Sequence, residues 1–488
     1  MISNQSRKIP YLLEATSPSD IYAIHAATIS VLSETGAIYD DPEAIRLLVN
    51  AGATVHDGGR VTIPSAMVEQ AIKTAPKSVK LYTRQGEESI KLEAGYVYYG
   101  TGSDCPNVMD FETGERRRAV AKDIEIFTRL SDALPEIDFI LSMAIASDVP
   151  TRTADLHHFR AMLYNTTKPI FYTVVNDENN PVIIDLAARV AGSLKALQEK
   201  PFIANFGMPS PPLRHSMSAL HNLISCARQS IPAVYASGTQ MGTSGPMTIA
   251  GGTVSSNCDV LSGLVVHQLA NPGAPFIYGV CVPPIDMRTT IECYGAPEHF
   301  LGDLLNVRVA QSYGLPSWGY AADTDSKILD LQAALEYLGS SVMGLLSGCN
   351  LLHDVGYLES GMVASCESIV FGNEVIAYAR RMIQPVVVNP ETLAVDIIKR
   401  VGPGGTFMTE RHTLSHFREF WYSPLIDRNR HEGWVNAGRQ SMSDRVRKKA
   451  EDILASYTPP ALDPGIVAAI DEKIAARERD NFRSEQSN

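Results

Sequence analysis

From Tyr96 onward, short apolar runs alternate with stretches of helical period. The runs are YVYYGT (96–101), DFILSMAIA (138–146), PIFYTVV (169–175), FIANFG (202–207), PAVYASG (232–238), PFIYGVC (275–281), PSWGYA (316–321) and NLLHDV (350–355). Unbroken apolarity over a strand length marks strands buried on both faces, as in a parallel sheet covered by helices. Between the runs, Ile124, Phe127, Leu130 and Leu134 form one helical stripe, and Leu156, Phe159 and Leu163 another. Eight such units close most economically into an α/β fold of the (β/α)8 TIM barrel type, with an open doubly wound sheet as the alternative.

The flanks read differently. Residues 1–95 form a mixed α/β, mainly helical N-terminal extension: Ile21–Glu34 has an apolar face of Ile21, Ile24, Ile29 and Leu32 and stops at Gly36. Two further helices, Glu43–Asn50 and Ser65–Thr74, bracket a short strand at 60–64. Residues 96–385 carry the barrel, with its active site expected at the strand C-terminal ends. Residues 386–488 form a mostly helical C-terminal extension.

Charge narrows the function. The 488 residues carry a net charge of −12 without basic runs, which argues against nucleic acid or an anionic membrane as partner. The first twenty residues lack an apolar signal-type core. The apolar stretch 261–285 contains His267 and an Asn271-Pro272-Gly273 turn, so it reads as helix, turn and strand rather than as a membrane span. Seven cysteines without a CxxC pair suit a reducing cytoplasm, the expected location.

Candidate chemistry gathers at the predicted strand ends. Tyr98, Tyr99, Tyr172, Tyr278, Trp318 and Tyr320 are many large rings for a barrel, whose core favours branched aliphatics. Such rings fill cores, but their faces also attract a quaternary ammonium, at about 0.5–2 kcal/mol per contact. Period-two alternation keeps Tyr98 and Tyr99 from both facing inward. Polar residues reach the same mouth: Asp104, Asn205, Gln240, Asp323, Asp325, Lys327, His353 and Glu359. The plain alternatives are a helix N-cap for Thr324 or Asp325, a core histidine for His353, and a first-turn carboxylate for Glu359. Gly-rich 236–252 lacks a P-loop or GxGxxG pattern and reads as backbone that admits a bulky ligand or docking partner. HExxH, HxH, CxxC and GxSxG are also missing, so neither a metal site nor a serine hydrolase is expected.

Longer segments carry a resemblance. NLLHDVGYLESGMVASCESIVFGNE (350–374), GPGGTF (402–407) and HTLSHFREFWYSPLIDR (412–428), with YYGTGSDCPNVMDFETGERR (98–117) and DTDSKILDLQAALE (323–336), resemble the trimethylamine methyltransferase superfamily. Within it the chain looks like the branch lacking pyrrolysine, which includes glycine betaine methyltransferase; the equivalent position is expected within 318–327. The resemblance implies a barrel methyltransferase that passes a methyl group from a quaternary amine to the cobalt of a separate corrinoid protein. Glycine betaine is the favoured substrate, with proline betaine or carnitine as alternatives, and a non-catalytic betaine-binding protein as the competing reading. No cofactor is then bound tightly by this chain, and a homo-oligomer is expected. The substrate-binding set is Tyr98, Tyr172, Asn205, Gln240, Tyr278, Trp318, Tyr320, Lys327, His353 and Glu359, with Gln240, Asn205, His353, Lys327 or Arg288 meeting a substrate carboxylate. No catalytic residue is assigned. The corrinoid protein is expected over the barrel mouth, against 402–428 with Phe417, Phe420 and Trp421, aromatics that also suit a core or a subunit interface.

Overall fold

The structure is a computed structural model that describes residues 7–14 and 16–486, with side chains to position 480. Its centre is a curled, all-parallel sheet of seven strands: β1 Tyr98–Thr101, β2 Ile170–Tyr172, β3 Ile203–Gly207, β4 Ala233–Ala236, β5 Phe276–Gly279, β6 Ser317–Tyr320 and β7 Leu351–Val355. The order is β1-β7-β6-β5-β4-β3-β2. Seven of the eight predicted runs thus form ladders. The run at 138–146 does not; it touches β1 at Gly100–Phe139 and β2 at Ile140–Ile170 through isolated parallel bridges. A local reason is visible. The Asp138 carboxylate accepts the Tyr99 N–H at 3.0 Å, so a side chain takes a donor that a backbone carbonyl would otherwise claim.

Pleat alternation sorts the side chains into two cores. Inside the curl lie Tyr98, Phe139, Leu141, Phe171, Phe206 and Trp318, joined by Val79, Leu81, Ile90 and Leu92 of the hairpin Val79–Tyr82/Glu88–Leu92. That hairpin fills the N-terminal end of the curl. The larger core lies between the sheet and its helices and takes Tyr99, Tyr172, Tyr235 and Tyr278.

The N-terminal helices Pro18–Ser30, Pro42–Asn50 and Ser65–Thr74 pack on the helix Ile249–Ala270. Among the described residues that helix alone is long and apolar enough to cross a membrane, yet it is mostly buried in the protein. It ends at Ala270, and β5 follows the Asn271-Pro272-Gly273 turn, as the sequence predicts. Gly36 closes the first helical stretch at φ 74; a Cβ there would meet the Val61 carbonyl oxygen at 2.2 Å, so only glycine fits.

Helices Met442–Ser456 and Pro464–Gln486 fold back onto the outer helices. The segment before them is placed otherwise than the sequence suggests. Helix Cys366–Met382 runs back to the N-terminal end of the sheet, where Arg380 donates to the Val97 carbonyl at 2.9 Å. Trp421 packs on Tyr378 of that helix. The 402–428 region therefore leaves and rejoins the protein away from the mouth instead of covering it.

Candidate active site

The strand ends carry backbone strain as well as chemistry. Asp104, Met143, Ala322 and Asp354 have φ of 67, 63, 56 and 81, a region that side-chain-bearing residues rarely enter. Each follows or ends a strand or the bridging segment, and such strain accumulates where function over-determines the backbone. At Asp354 it coincides with a register shift between Leu352 and Val355 in the β1–β7 ladder. The bulge breaks alternation, so Asp354 joins His353 at the mouth rather than facing the helices.

The floor of the mouth is aromatic. Trp318 sits 4.9 Å from Phe171, 5.1 Å from Phe206 and 5.4 Å from Phe139, ring centre to ring centre. Above it, His353 lies 4.5 Å from Trp318 and 4.4 Å from Tyr320. Tyr294 and His299 close around Tyr320 at 6.0 and 5.7 Å.

Over this floor stand buried carboxyl groups. Both oxygens of Asp323 are buried with no hydrogen bond, as is the Trp318 indole N–H, while the buried Asp354 carboxyl has His353 Nε2 3.2 Å from its Oδ1. Burial pushes the Asp323 carboxyl up to about 7, with Asp325 and Asp303 repelling it and His299 offsetting part of the rise. Burial lifts Asp354 as well, the charges of Asp323, Asp104 and Asp303 act the same way, and a hydrogen bond from Tyr357 offsets part of the rise. His353 is driven the opposite way, to about 3, by the same desolvation. Its Nδ1 lies 2.9 Å from the Gly319 carbonyl, which fixes the hydrogen there and leaves Nε2 a bare acceptor. Burial disfavours charge on His299 too, but Asp303 at 3.5 Å, with Asp323, outweighs it and raises that imidazole. The mouth thus holds an excess of buried acid over base, a setting that a cation would relieve.

The predicted site residues separate into three groups. Trp318, Tyr320 and His353 meet at the mouth. Gln240, Lys327 and Glu359 stand on its rim but are engaged: Gln240 Nε2 donates to Glu292 at 2.9 Å, Lys327 Nζ to the Asp325 carbonyl at 2.8 Å, and Glu359 pairs with Arg116 at 3.1 Å. The pairing replaces the helix-terminus role read for Glu359. The helix cap read at Thr324 or Asp325 falls instead on Asp330, which accepts from Ala333 N–H. The third group lies elsewhere. Tyr172 donates to Asn180 Oδ1 and Tyr278 to Asn257 Oδ1, each at 2.8 Å, behind the sheet among helices. Asn205 donates to the Tyr172 carbonyl at 3.3 Å on that outer face. Tyr98 faces inward but at the N-terminal end, accepting from Lys91 N–H at 3.1 Å. Period two explains three of the four: with Phe171, Phe206 and Ile277 inside, Tyr172, Asn205 and Tyr278 next to them must point out, whereas Tyr98 is inside but at the wrong end. Asp354 lies outside the predicted set; alternation alone would send it outward, and the bulge turns it in.

A curled parallel sheet with strained, desolvated acid groups over aromatic rings at its strand C-terminal ends defines an α/β fold whose candidate active site lies at that mouth. The family model described as trimethylamine methyltransferase (MTTB) matches residues 2–481. The chain is 33% identical over 462 residues to a trimethylamine methyltransferase of Desulfitobacterium hafniense strain DSM 10664 / DCB-2, covering 94% of this chain and 92% of that protein. It is 29% identical to a glycine betaine methyltransferase of D. hafniense strain Y51, over 94% of this chain and 95% of that one. In fold it is similar to the crystal structure of the Methanosarcina barkeri monomethylamine methyltransferase, with a TM-score of 0.52 at 14% identity, covering 92% and 90% of the two chains. The chain belongs to the trimethylamine methyltransferase family and is a methyltransferase.

Proposed function

We propose that this chain takes a methyl group from a quaternary ammonium compound bound over Trp318, Tyr320 and His353, and hands it to the corrinoid of a partner protein at the mouth. The observation that carries this reading is a pair of buried carboxyl groups above an aromatic floor, Asp323 with no hydrogen-bond partner and Asp354 facing the His353 imidazole. An ammonium ion restores to these carboxylates the counter-charge that desolvation removes, and the rings contribute cation–π attraction. We further read the bridging segment 138–141 as the eighth side of a closed barrel, since it touches both outer strands.

In the reaction, the C–N bond pair stays on nitrogen, which leaves as a neutral amine, so no acid is needed there. The corrinoid supplies the electron pair that forms the new bond to carbon. Residues of this chain bind, orient and desolvate. As charge on nitrogen fades, attraction to Asp323 and Asp354 fades with it, so their contribution falls chiefly on binding.

The rim suits a protein partner. Exposed apolar side chains ring the mouth: Ile145, Val175, Met208, Met247, Met287, Ile328, Leu331 and Met362, each in a loop or helix start after a strand or the bridging segment. A Cβ on Gly242 would crowd the Met247 sulfur at 3.0 Å, and one on Gly238 would collide with the Met208 methyl at 2.7 Å. Flexible thioethers suit a surface that must adapt to a transient partner.

Glycine betaine remains the favoured substrate. Its carboxylate would be repelled by Asp104, Asp303, Asp323 and Asp354, so it belongs at the rim near Gln240 or Lys327. The same acidity favours a second reading, a cation without a carboxylate. Methyl transfer assayed with the cognate reduced corrinoid protein across glycine betaine, choline, tetramethylammonium and trimethylamine separates the two. Turnover with none of them sinks the proposal.

A further inference from the structure

A single hairpin touches both the amine site and the rim. It follows β5, pairs Ile285–Asp286 with Ile291–Glu292 in antiparallel fashion, and continues to Tyr294. At one edge it is fastened to the loop after β4. There the Ile285 N–H donates to the Met241 carbonyl at 3.0 Å, and Glu292 accepts from Gln240 Nε2 at 2.9 Å. At the other edge the Tyr294 N–H donates to Asp325 Oδ1, after β6, at 2.7 Å. The same oxygen accepts from the Ser360 hydroxyl, after β7, at 2.7 Å, while the Asp325 N–H donates to Glu336 at 2.9 Å. The hairpin is thus a roof that reaches from the loop after β4 to the loop after β7.

Its two faces differ. Inward, the Tyr294 ring stands 6.0 Å from Tyr320 and 5.7 Å from His299. Burial, then the charges of Glu292, Cys281, Asp354 and Asp323, push the Tyr294 hydroxyl up, so its far end lies among the acids of the site. Outward, Met287 is 69% and Ile291 58% exposed, an apolar tip open to a partner. Asp286 accepts the Arg288 N–H at 2.9 Å and the Thr289 hydroxyl at 3.1 Å, which ties the turn to the hairpin as one piece. A methyl donor over Trp318, Tyr320 and His353 lies beneath this roof. Cobalt must approach in line with the C–N bond, at the centre of a corrin ring that needs the mouth open. The fastenings in its way are a few hydrogen bonds, as in lids that close a site between encounters.

We propose that hairpin 285–294 is a lid whose Tyr294 ring completes the aromatic enclosure of the amine, and that the corrinoid protein, seating on Met287 and Ile291, lifts it. This rests on the function proposed above.

A partner that opens the lid loosens the amine, and by reciprocity the amine loosens the partner by the same factor. Equilibrium dialysis of radiolabelled tetramethylammonium against the full chain measures that factor. It is run with and without saturating corrinoid protein held as Co(II), which lacks the electron pair for methyl transfer. The amine Kd is expected to rise about fivefold or more when the partner is present. Asp325→Ala should raise the Kd without the partner and leave the partner little to add. Ser360→Ala, which frees one fastening, should do the same in part. The sign separates latch from charge: losing the Asp325 charge by itself relieves Asp323 and would tighten the amine. Tyr294→Leu should raise the Kd about tenfold through the lost ring. A Kd that the partner leaves unchanged or lowers, or an Asp325→Ala chain that binds like the wild type, overturns the lid while the amine site stands. An amine that binds under no condition overturns the site, and the lid with it.

Discussion

His353 brings Nε2 to 3.2 Å from Asp354 Oδ1 while its Nδ1 stays 2.9 Å from the Gly319 carbonyl. The bare Nε2 lone pair faces a carboxyl whose ionisation burial opposes, so the neutral pair, with the proton on Asp354, is the resting state. Under the proposed function, a bound ammonium would reverse that preference by giving the carboxylate a counter-ion.

Replacing Asp354 with Asn keeps the shape and removes the charge. Methyl transfer should fall about tenfold to a hundredfold in kcat/KM, or ~1.4–2.7 kcal/mol of lost stabilisation. Steady-state kinetics with the cognate corrinoid protein reads this out, and unchanged kinetics would detach Asp354 from the substrate.

Asp323 sets a pH dependence. Its folded pKa, about 7, lies above the ordinary carboxyl value of 3.8. Below pH 4 the carboxyl is protonated in both folded and unfolded states; as pH rises from about 4 to 7, only the unfolded state loses the proton, so stability declines. Asp323→Asn removes this burden, and its stability advantage should grow across that window in denaturation midpoints. Binding of a permanently charged ammonium such as tetramethylammonium should tighten through pH 7 in the wild type and flatten in the variant.

Tyr278→Phe tests the sorting of aromatics. The lost hydroxyl leaves Asn257 Oδ1 without that donor behind the sheet, at a cost of about 1–3 kcal/mol in stability. Methyl transfer at a temperature where the variant is folded should stay within about twofold, a difference of ~0.4 kcal/mol. Tyr320→Leu, at the mouth, should do the reverse and weaken amine binding.

Met287→Asp should act on the partner alone. Met287 is 69% exposed on the rim, so folding and amine binding are expected to hold. The KM for the corrinoid protein should rise, and the calorimetric Kd for the amine should not.

Much of the architecture was legible because burial on both faces writes a strand directly into the chain. Seven runs became β1 to β7 with ends within a few residues of their predicted bounds. The 138–146 run shows the limit of that logic: it is as apolar as the others, but Asp138 spends its carboxylate on the Tyr99 amide and the ladder does not form. At the site, Trp318, Tyr320 and His353 were readable from strand position, whereas Tyr172, Asn205 and Tyr278 needed a phase that residue identity does not state.

The sequence by itself determined the α/β class, the βα rhythm, the acidic charge and the family-bearing segments, since each depends on local pattern or residue order. Only the tertiary structure decided which ring faces the mouth, because a strand apolar on both sides carries no mark of which side is in. It alone joined Asp354 to His353, through a bulge with φ 81 that overrides alternation. It alone moved the 402–428 region away from the mouth, because the direction of the preceding helix, and not the composition of the segment, sets where the chain emerges.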